Sequence, residues 1–344
     1  MGRSNAAGNP PKAGATDSLV RVVLADVGGT NARFALLTGD VLGPVEHLAV
    51  RDHARFTDAL AVFMARQTDH ATIRGAIIAV AGPVEDGHCA FTNSSWVVDA
   101  AELRSRFDFT GVKLINDFEA IAWALPHLTR DDLRVIGGGA PVPDAPMAVL
   151  GPGTGLGVAA YVPHKAGGLV LRSEGGHVTL PSSSLREDAI IVALRQRFGH
   201  VSAERVLSGQ GLENLYRAIA TIDQCPAPER RAADISKAAV DGVCELSRAA
   251  LDQFCAWLGE VAGNVALGHG AQGGVFIAGG IVPHFQDYLV SSTFRSRFEA
   301  KGRMSRYVEP IPVSLILHDD PAFVGLRSLA LRCDWDASGS GTGV

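Results

Sequence analysis

Two short segments of the chain set glycines and a threonine at a bend between apolar runs. They are Asp26-Val27-Gly28-Gly29-Thr30-Asn31-Ala32-Arg33 and Gly151-Pro152-Gly153-Thr154-Gly155-Leu156-Gly157. Consecutive glycines let backbone N–H groups converge on an anion with no Cβ in the way, and a threonine hydroxyl adds a donor. Two such loops could hold one polyphosphate between them. The chain contains no Gly-Lys dipeptide, so it has no Walker A loop, and neither segment spells G-x-G-x-x-G at a strand-to-helix junction. Taken singly, each loop also reads as an ordinary glycine turn.

Carboxylates accompany the loops. Asp26 lies directly at the first one, where it suits a metal bound to phosphates, since Mg²⁺ takes only one or two carboxylates and keeps several waters. An Asx-turn residue fixing the hairpin is the alternative for Asp26. Asn116-Asp117 follows the apolar run Val112-Lys113-Leu114-Ile115. A carboxylate there would face a cleft and accept the proton of a hydroxyl during phosphoryl transfer, or else serve as the N-cap of the following helix. Glu174 in Glu174-Gly175-Gly176-His177, and Glu204 in Ser202-Ala203-Glu204-Arg205, could each accept two hydroxyl hydrogen bonds, which suits a polyol. The Gly-Gly pair beside His177 argues against a zinc helix of the H-E-x-x-H type, and no cysteine cluster stands near to complete a tetrahedral site.

The elements that must position these groups follow from hydrophobic pattern. Residues 19–25 and 33–37 read as strands around the first glycine loop, and 147–150 and 158–162 as strands around the second. This internal echo suits two related domains facing each other, although two glycine hairpins also arise by coincidence. Residues 75–80 and 112–115 read as buried strands, and Asp99 with Glu102 as a capping box opening a helix over 100–107. A helix over 118–125 follows Asp117, so the Asn-Asp pair falls at the carboxyl end of a strand, where ligands bind in α/β sheets. The second half reads as helices over 186–198, 213–220, 235–246 and 251–267. Strands follow at 274–278 and 313–317, and a last helix over 323–331 crosses back onto the first domain. Hairpins followed by α/β units predict a doubly wound two-domain α/β fold rather than a barrel.

Composition narrows the class. At 344 residues, 47% hydrophobic and 19% charged, with a net charge of −5, the chain has the make-up of a soluble α/β protein and no electrostatic pull toward nucleic acid or an anionic membrane. The basic stretch Arg295, Arg297, Lys301, Arg303 and Arg306 is interrupted by Glu299 and reads as a solvated helix face or a cleft rim. Five cysteines without a C-x-x-C pair imply reduced, mostly buried thiols and a cytoplasmic location. Residues 1–17 lack a signal-peptide apolar region and, like 337–344, read as disordered tails.

From about residue 19 to residue 331 the chain resembles the proteobacterial type of bacterial glucokinase, in the hexokinase and actin-like ATPase superfamily. Asp26 to Arg33 is similar to that family's first phosphate motif, Gly153-Thr154-Gly155-Leu156-Gly157 to its second, and Ile277-Ala278-Gly279-Gly280-Ile281-Val282-Pro283 to its adenosine motif. Asn116-Asp117, Glu174 to His177 and Glu204 match its sugar site. The resemblance implies a two-domain actin-like ATPase (ribonuclease H-like) fold. A smaller domain, residues 18–127 completed by about 318–336, would face a larger one, 128–317, across a cleft that closes.

The resemblance further implies ATP and Mg²⁺ as cofactors, transfer of the γ-phosphoryl group to the 6-hydroxyl of glucose for glycolysis, and a homodimer. Asp117 would be the catalytic base. Asn116, Asp117, Glu174, His177 and Glu204 would bind the sugar. The nucleotide would lie on Asp26, Gly28, Gly29, Thr30, Asn31, Arg33, Gly153, Thr154, Gly155, Gly279 and Gly280, with Mg²⁺ held by Asp26 through water. Two departures stand out: the N-terminal extension, and Ala322 and Phe323 where the family pattern has glycine and leucine. A kinase of another sugar, and a nucleotide switch that acts on no sugar, would share the glycine loops. In the switch, Glu174, Glu204 and Asn116-Asp117 would have no purpose.

Overall fold

The computed structural model describes residues 20–67, 73–91, 94–165 and 167–335. Leu19 and the segments 1–17 and 337–344, read above as tails, lie outside the described residues. A first six-stranded sheet is built from β1 (Arg21–Val27), β2 (Asn31–Thr38), β3 (Val41–Leu42), β4 (Glu46–Ala49) and β5 (Ile73–Val80). After a small ribbon of β6 (His88–Ala90) and β7 (Val97–Asp99), β8 (Gly111–Asn116) completes it. The second sheet, also six-stranded, comprises β9 (Leu133–Gly137), β10 (Met147–Pro152), β11 (Leu156–Val162), β12 (Leu169–Ser173), β13 (Gly274–Ile277) and β14 (Val313–Ile316).

One path is traced twice. The strand order is β3-β2-β1-β5-β8 in the first sheet and β12-β11-β10-β13-β14 in the second, with β9 added beyond β14. In each sheet the glycine hairpin pairs antiparallel, and the next two strands join parallel to its first strand. The echo between the two glycine loops therefore extends to whole-sheet topology.

Strand alternation divides the core. Side chains two residues apart share a face, so Val23, Ala25 and Val27 join the cluster under α1 (Phe56–Ala65) and α2 (Ala100–Phe107), while Val22 and Leu24 face the other way. On that second face lie α3 (Asp117–Ala124) and the final helix. They pack with Val149, Ala159, Tyr161 and Ala278 of the second sheet in a shared apolar layer. The larger cluster, on the far side of the second sheet, is filled by α4 (Leu185–Phe198), α5 (Gly209–Asp223), α6 (Ala232–Val240) and α7 (Glu245–His269), and closed by α8 (Gln286–Ser291), α9 (Phe294–Glu299) and α10 (Ser305–Val308). The final helix, α11 (Pro321–Ala330), crosses α3 so closely that a Cβ on Gly325 would lie 1.8 Å from the Ala120 carbonyl oxygen. Ala322 and Phe323, which depart from the family pattern, are buried in this layer.

Two expectations need correction. The helix expected over 235–246 ends at Val240, because Gly242 takes a left-handed φ of 70° and α7 starts afresh at Glu245. The basic stretch is not a uniformly solvated face. Arg297 Nη2 contacts Glu187 Oε1 at 3.0 Å and Glu260 Oε2 at 2.7 Å, and Lys301 Nζ contacts Glu260 Oε1 at 3.1 Å. Arg295 is also turned inward, its Nε 2.6 Å from Glu299 Oε1, and only Arg303 and Arg306 are exposed. Glu187 and Glu260 are almost fully buried, so the arginine and lysine are the counter-charges of a buried network rather than a surface patch.

Candidate active site

The first carboxylate is positioned by sheet register. Asp26 pairs with Arg33 across β1 and β2, both on the face toward α3 and α11, and Arg33 Nη1 donates to Asp26 Oδ2 at 3.1 Å. The same guanidinium nitrogen lies 3.4 Å from Asp320 Oδ1, at the start of α11. Burial lifts the Asp26 carboxyl above the ordinary aspartate range; Arg33 opposes the shift and the Asp320 charge adds to it. Asp320 was missed in the sequence because an aspartate before Pro321 signals only a helix start.

The second carboxylate depends on the strand-to-helix junction of β8 and α3. Asn116 is the N-cap, its Oδ1 accepting from Phe118 N at 2.9 Å, while its Nδ2 donates to Gly82 O at 3.4 Å. Asp117 is therefore the first helical residue and not the cap, although its Oδ1 also accepts from Phe118 N at 2.9 Å. Its pKa is raised to about 6, first by burial and then by the nearby Asp26 charge, with the hydrogen bonds at the helix start opposing the rise. Cys89, which no sequence motif flagged, lies close by: its thiol is pushed up by burial and by the Asp117 charge.

Phe118 joins this junction to the second glycine hairpin. A Cβ on Gly157 would fall 1.9 Å from the Phe118 ring, and one on Gly151 would fall 2.9 Å from it. Only glycine at these positions lets α3 dock there. The loop between them is open: a Cβ on Gly153 would meet nothing within 4 Å, and Thr154 is exposed. In the first hairpin, Gly28 N donates to Asn31 O at 3.0 Å, Thr30 O accepts from Val50 N at 2.9 Å, and the Thr30 and Asn31 side chains are exposed. Gly279, with φ of 89°, presses against the end of β10, where a Cβ would lie 2.3 Å from Pro152 O, while Gly280 has open space beside it. Each of these close approaches requires the missing side chain.

The remaining residues assemble at the start of β11. Glu204, in a single turn (Ala203–Arg205), directs Oε2 at the backbone of the second hairpin and accepts from Leu156 N at 2.9 Å. The turn Gly175–His177 presses on the same strand, since a Cβ on Gly176 would fall 2.0 Å from Leu156 O. Short backbone pairing, Leu180 N to Val201 O at 3.0 Å and Ala203 N to Val178 O at 2.9 Å, ties the two turns together. The side chains of Glu174 and His177 are 77% and 60% exposed, with His177 Nε2 3.8 Å from Glu174 Oε2, so both are free to meet a ligand.

The structure thus gathers Asp26, Asn116, Asp117, both glycine loops, Glu174, His177, Glu204 and Gly279-Gly280 around one junction between the sheets. Phe118 ties the Asp117 junction to the second glycine hairpin, and Leu156 of that hairpin meets both Glu204 and the Gly175–His177 turn. That is an arrangement for moving a phosphoryl group onto a polyol.

Comparison with known proteins agrees. A family model described as Glucokinase matches residues 23–333. The glucokinase of Paramagnetospirillum magneticum is 45% identical over 311 residues, spanning 90% of this chain and 97% of that protein. That of Cronobacter sakazakii is 44% identical over 306 residues, spanning 88% and 94%. The crystal structure of a glucokinase from an Antarctic psychrotroph superposes with a TM-score of 0.82 at 38% identity, covering 90% of this chain and 98% of that one. A ROK family glucokinase from Streptomyces griseus, solved with glucose and AMPPNP, shares the fold at a TM-score of 0.59 and 18% identity, covering 90% and 98%. With the match running through nearly the whole described chain, it belongs to the glucokinase family, the ATP-dependent hexose kinases that phosphorylate glucose.

Proposed function

We propose that the chain transfers the γ-phosphoryl group of ATP in line to the 6-hydroxyl of glucose, with Asp117 as the base, in the cytoplasm at the entry to glycolysis. The observation that carries this reading is Asp117 itself: a carboxylate at the β8–α3 junction, its pKa raised to about 6 by burial and the nearby Asp26 charge, next to the Phe118 ring that packs on the second glycine hairpin. A base of that pKa is ionised at neutral pH yet holds a proton better than a free aspartate, which suits it to accept one as the new O–P bond forms. Glu174, His177 and Glu204 orient the sugar, and Asn116 fixes the turn that aims Asp117. Thr30, Asn31, Thr154 and the backbone N–H groups of Gly29 and Gly155 hold phosphate oxygens, Gly28 and Gly153 close the two turns through their own N–H bonds to Asn31 O and Gly155 O, and Gly279-Gly280 lets the nucleoside lie against backbone. Positioning and charge stabilisation supply most of the rate enhancement.

The residues fit Mg²⁺. Asp26 offers a hard oxygen donor in a buried setting where Arg33, divided between Asp26 and Asp320, leaves negative charge incompletely matched. Asp26 would hold the ion through water, with Arg33 steadying the carboxylate. When bound, Mg²⁺ supplies charge neutralisation at the phosphate oxygens. We further read the fold as actin-like and ribonuclease H-like, with residues 18–127 and about 318–336 as the smaller domain and 128–317 as the larger. The repeated sheet order supports this reading, and the enzyme acts as a homodimer.

The test is a coupled assay with glucose, mannose, fructose and N-acetylglucosamine, followed by phosphorus NMR of the product. Glucose 6-phosphate as the main product is expected. Nucleotide turnover indifferent to every sugar, or unchanged turnover in Asp117→Asn, would overturn the assignment of the base and acceptor.

A further inference from the structure

We infer that Asp320 is a positioning residue for the metal and nucleotide: by sharing Arg33 it keeps Asp26 from being neutralised and leaves that carboxylate able to draw a divalent cation. The inference rests on the Mg²⁺ reading above and adds a residue to it. Asp320 stands where an aspartate ordinarily caps a helix, directly before α11 with Pro321 at the first helical position, yet its side chain makes no capping hydrogen bond. The helix start is held without it. The Phe323 N–H donates to the Asp320 backbone carbonyl at 3.1 Å, and the Asp320 N–H donates to His318 Nδ1 at 3.0 Å. The carboxylate is left for another use, and its Oδ1 lies 3.4 Å from Arg33 Nη1 on β2.

The geometry gives one cation to two anions. The same Arg33 nitrogen lies 3.1 Å from Asp26 Oδ2, and among the described residues neither carboxylate has another ion pair. Asp26 is engaged through Oδ2 alone; its Oδ1 accepts no hydrogen bond among the described residues and can meet the water shell of a cation. The side chains of Asp26 and Asp320 are 19% and 21% exposed, so their charges are screened less than those of an open surface pair.

Removing the charge at position 320 would hand Arg33 to Asp26 alone. A guanidinium with a single carboxylate partner can take both of its oxygens in a forked pair, which would occupy Oδ1 and cancel the excess negative charge. Asp320 thus acts through Arg33, at a distance from the sugar turns. Its loss should weaken binding of the metal-loaded nucleotide and leave binding of the bare nucleotide, itself an anion, equal or tighter. A role confined to holding α11 in place would weaken both forms alike.

Calorimetric titration of the full chain with AMPPNP, with and without Mg²⁺, tests this in wild type, Asp320→Asn, Asp320→Glu, Arg33→Met, Asp26→Asn and the Arg33→Met/Asp320→Asn double variant. Asp320→Asn should weaken Mg²⁺–AMPPNP at least about tenfold, the scale of losing one charge near a dication, with metal-free AMPPNP bound no more weakly than by wild type. Asp320→Glu, which keeps the charge, should return to within about threefold of wild type. Because the effect runs through Arg33, adding Asp320→Asn to Arg33→Met should change the affinity less than about threefold, the non-additivity of a coupled pair. Equal losses for both forms of the nucleotide would overturn the inference in favour of a structural role, and a full loss on the Arg33→Met background would overturn the route through Arg33. A loss in Asp26→Asn with none in Asp320→Asn would overturn this inference and spare the Mg²⁺ reading. No loss in Asp26→Asn would overturn both.

Discussion

Asp117 carries opposite consequences for activity and stability. A base must be ionised, so kcat/KM for glucose should rise with pH through about 6 and then level off. Asp117→Asn should lower kcat by roughly 10²- to 10⁴-fold while glucose binding stays measurable, followed by steady-state kinetics and calorimetry. Stability runs the other way. A carboxyl that binds its proton more tightly when folded stabilises the fold fully below its ordinary value near 3.8, and that contribution is lost as pH rises through about 6. At pH 7 the ionised group is a burden on the fold, so Asp117→Asn should be more stable than wild type by about 1–3 kcal/mol in urea titrations. An unchanged or lower midpoint would refute the burial behind the shifted pKa.

Packing between elements reverses an ordinary rule. Glycine to alanine inside a helix stabilises by about 1 kcal/mol on propensity alone, yet at Gly325 the new methyl would collide with the Ala120 carbonyl of α3. Gly325→Ala should therefore destabilise by about 1–3 kcal/mol, the cost of overpacking, and should lower activity by shifting the helix that begins at Asp117. A second element-level prediction concerns Arg297, which joins α9 to α4 and α7. Arg297→Met removes the cation paired with buried Glu187 and leaves Glu260 with Lys301 alone, and should cost about 3–5 kcal/mol by chemical denaturation. How legible these elements were depended on burial. Strands with continuous apolar runs, such as β5 and β8, stood out, and both glycine loops declared themselves. β12, largely exposed, and β9 gave no such signal. The site was legible as motifs, but the Asp26–Arg33–Asp320 cluster and the docking of Phe118 were not, since they join residues remote in sequence whose types do not advertise contact.

At the scale of the whole molecule, the candidate site lies where two sheets of matching topology meet through α3 and α11. Ligands that bind this junction should raise the melting temperature of the whole chain. Glucose at about 100 times its Kd should add about 2.7 kcal/mol of apparent stability, visible in a thermal-shift titration and retained in Asp117→Asn. No shift with glucose would separate the sugar turns from the role given them. The ring of Phe118 seated over Gly157 has a further, heritable consequence. While position 118 keeps its aromatic ring, alanine at 157 has nowhere to go, and a smaller residue at 118 must come first for the other position to drift. In a library randomised at both positions and selected for growth on glucose, survivors should trade bulk between the pair, with alanine at 157 appearing only beside a shrunken partner at 118.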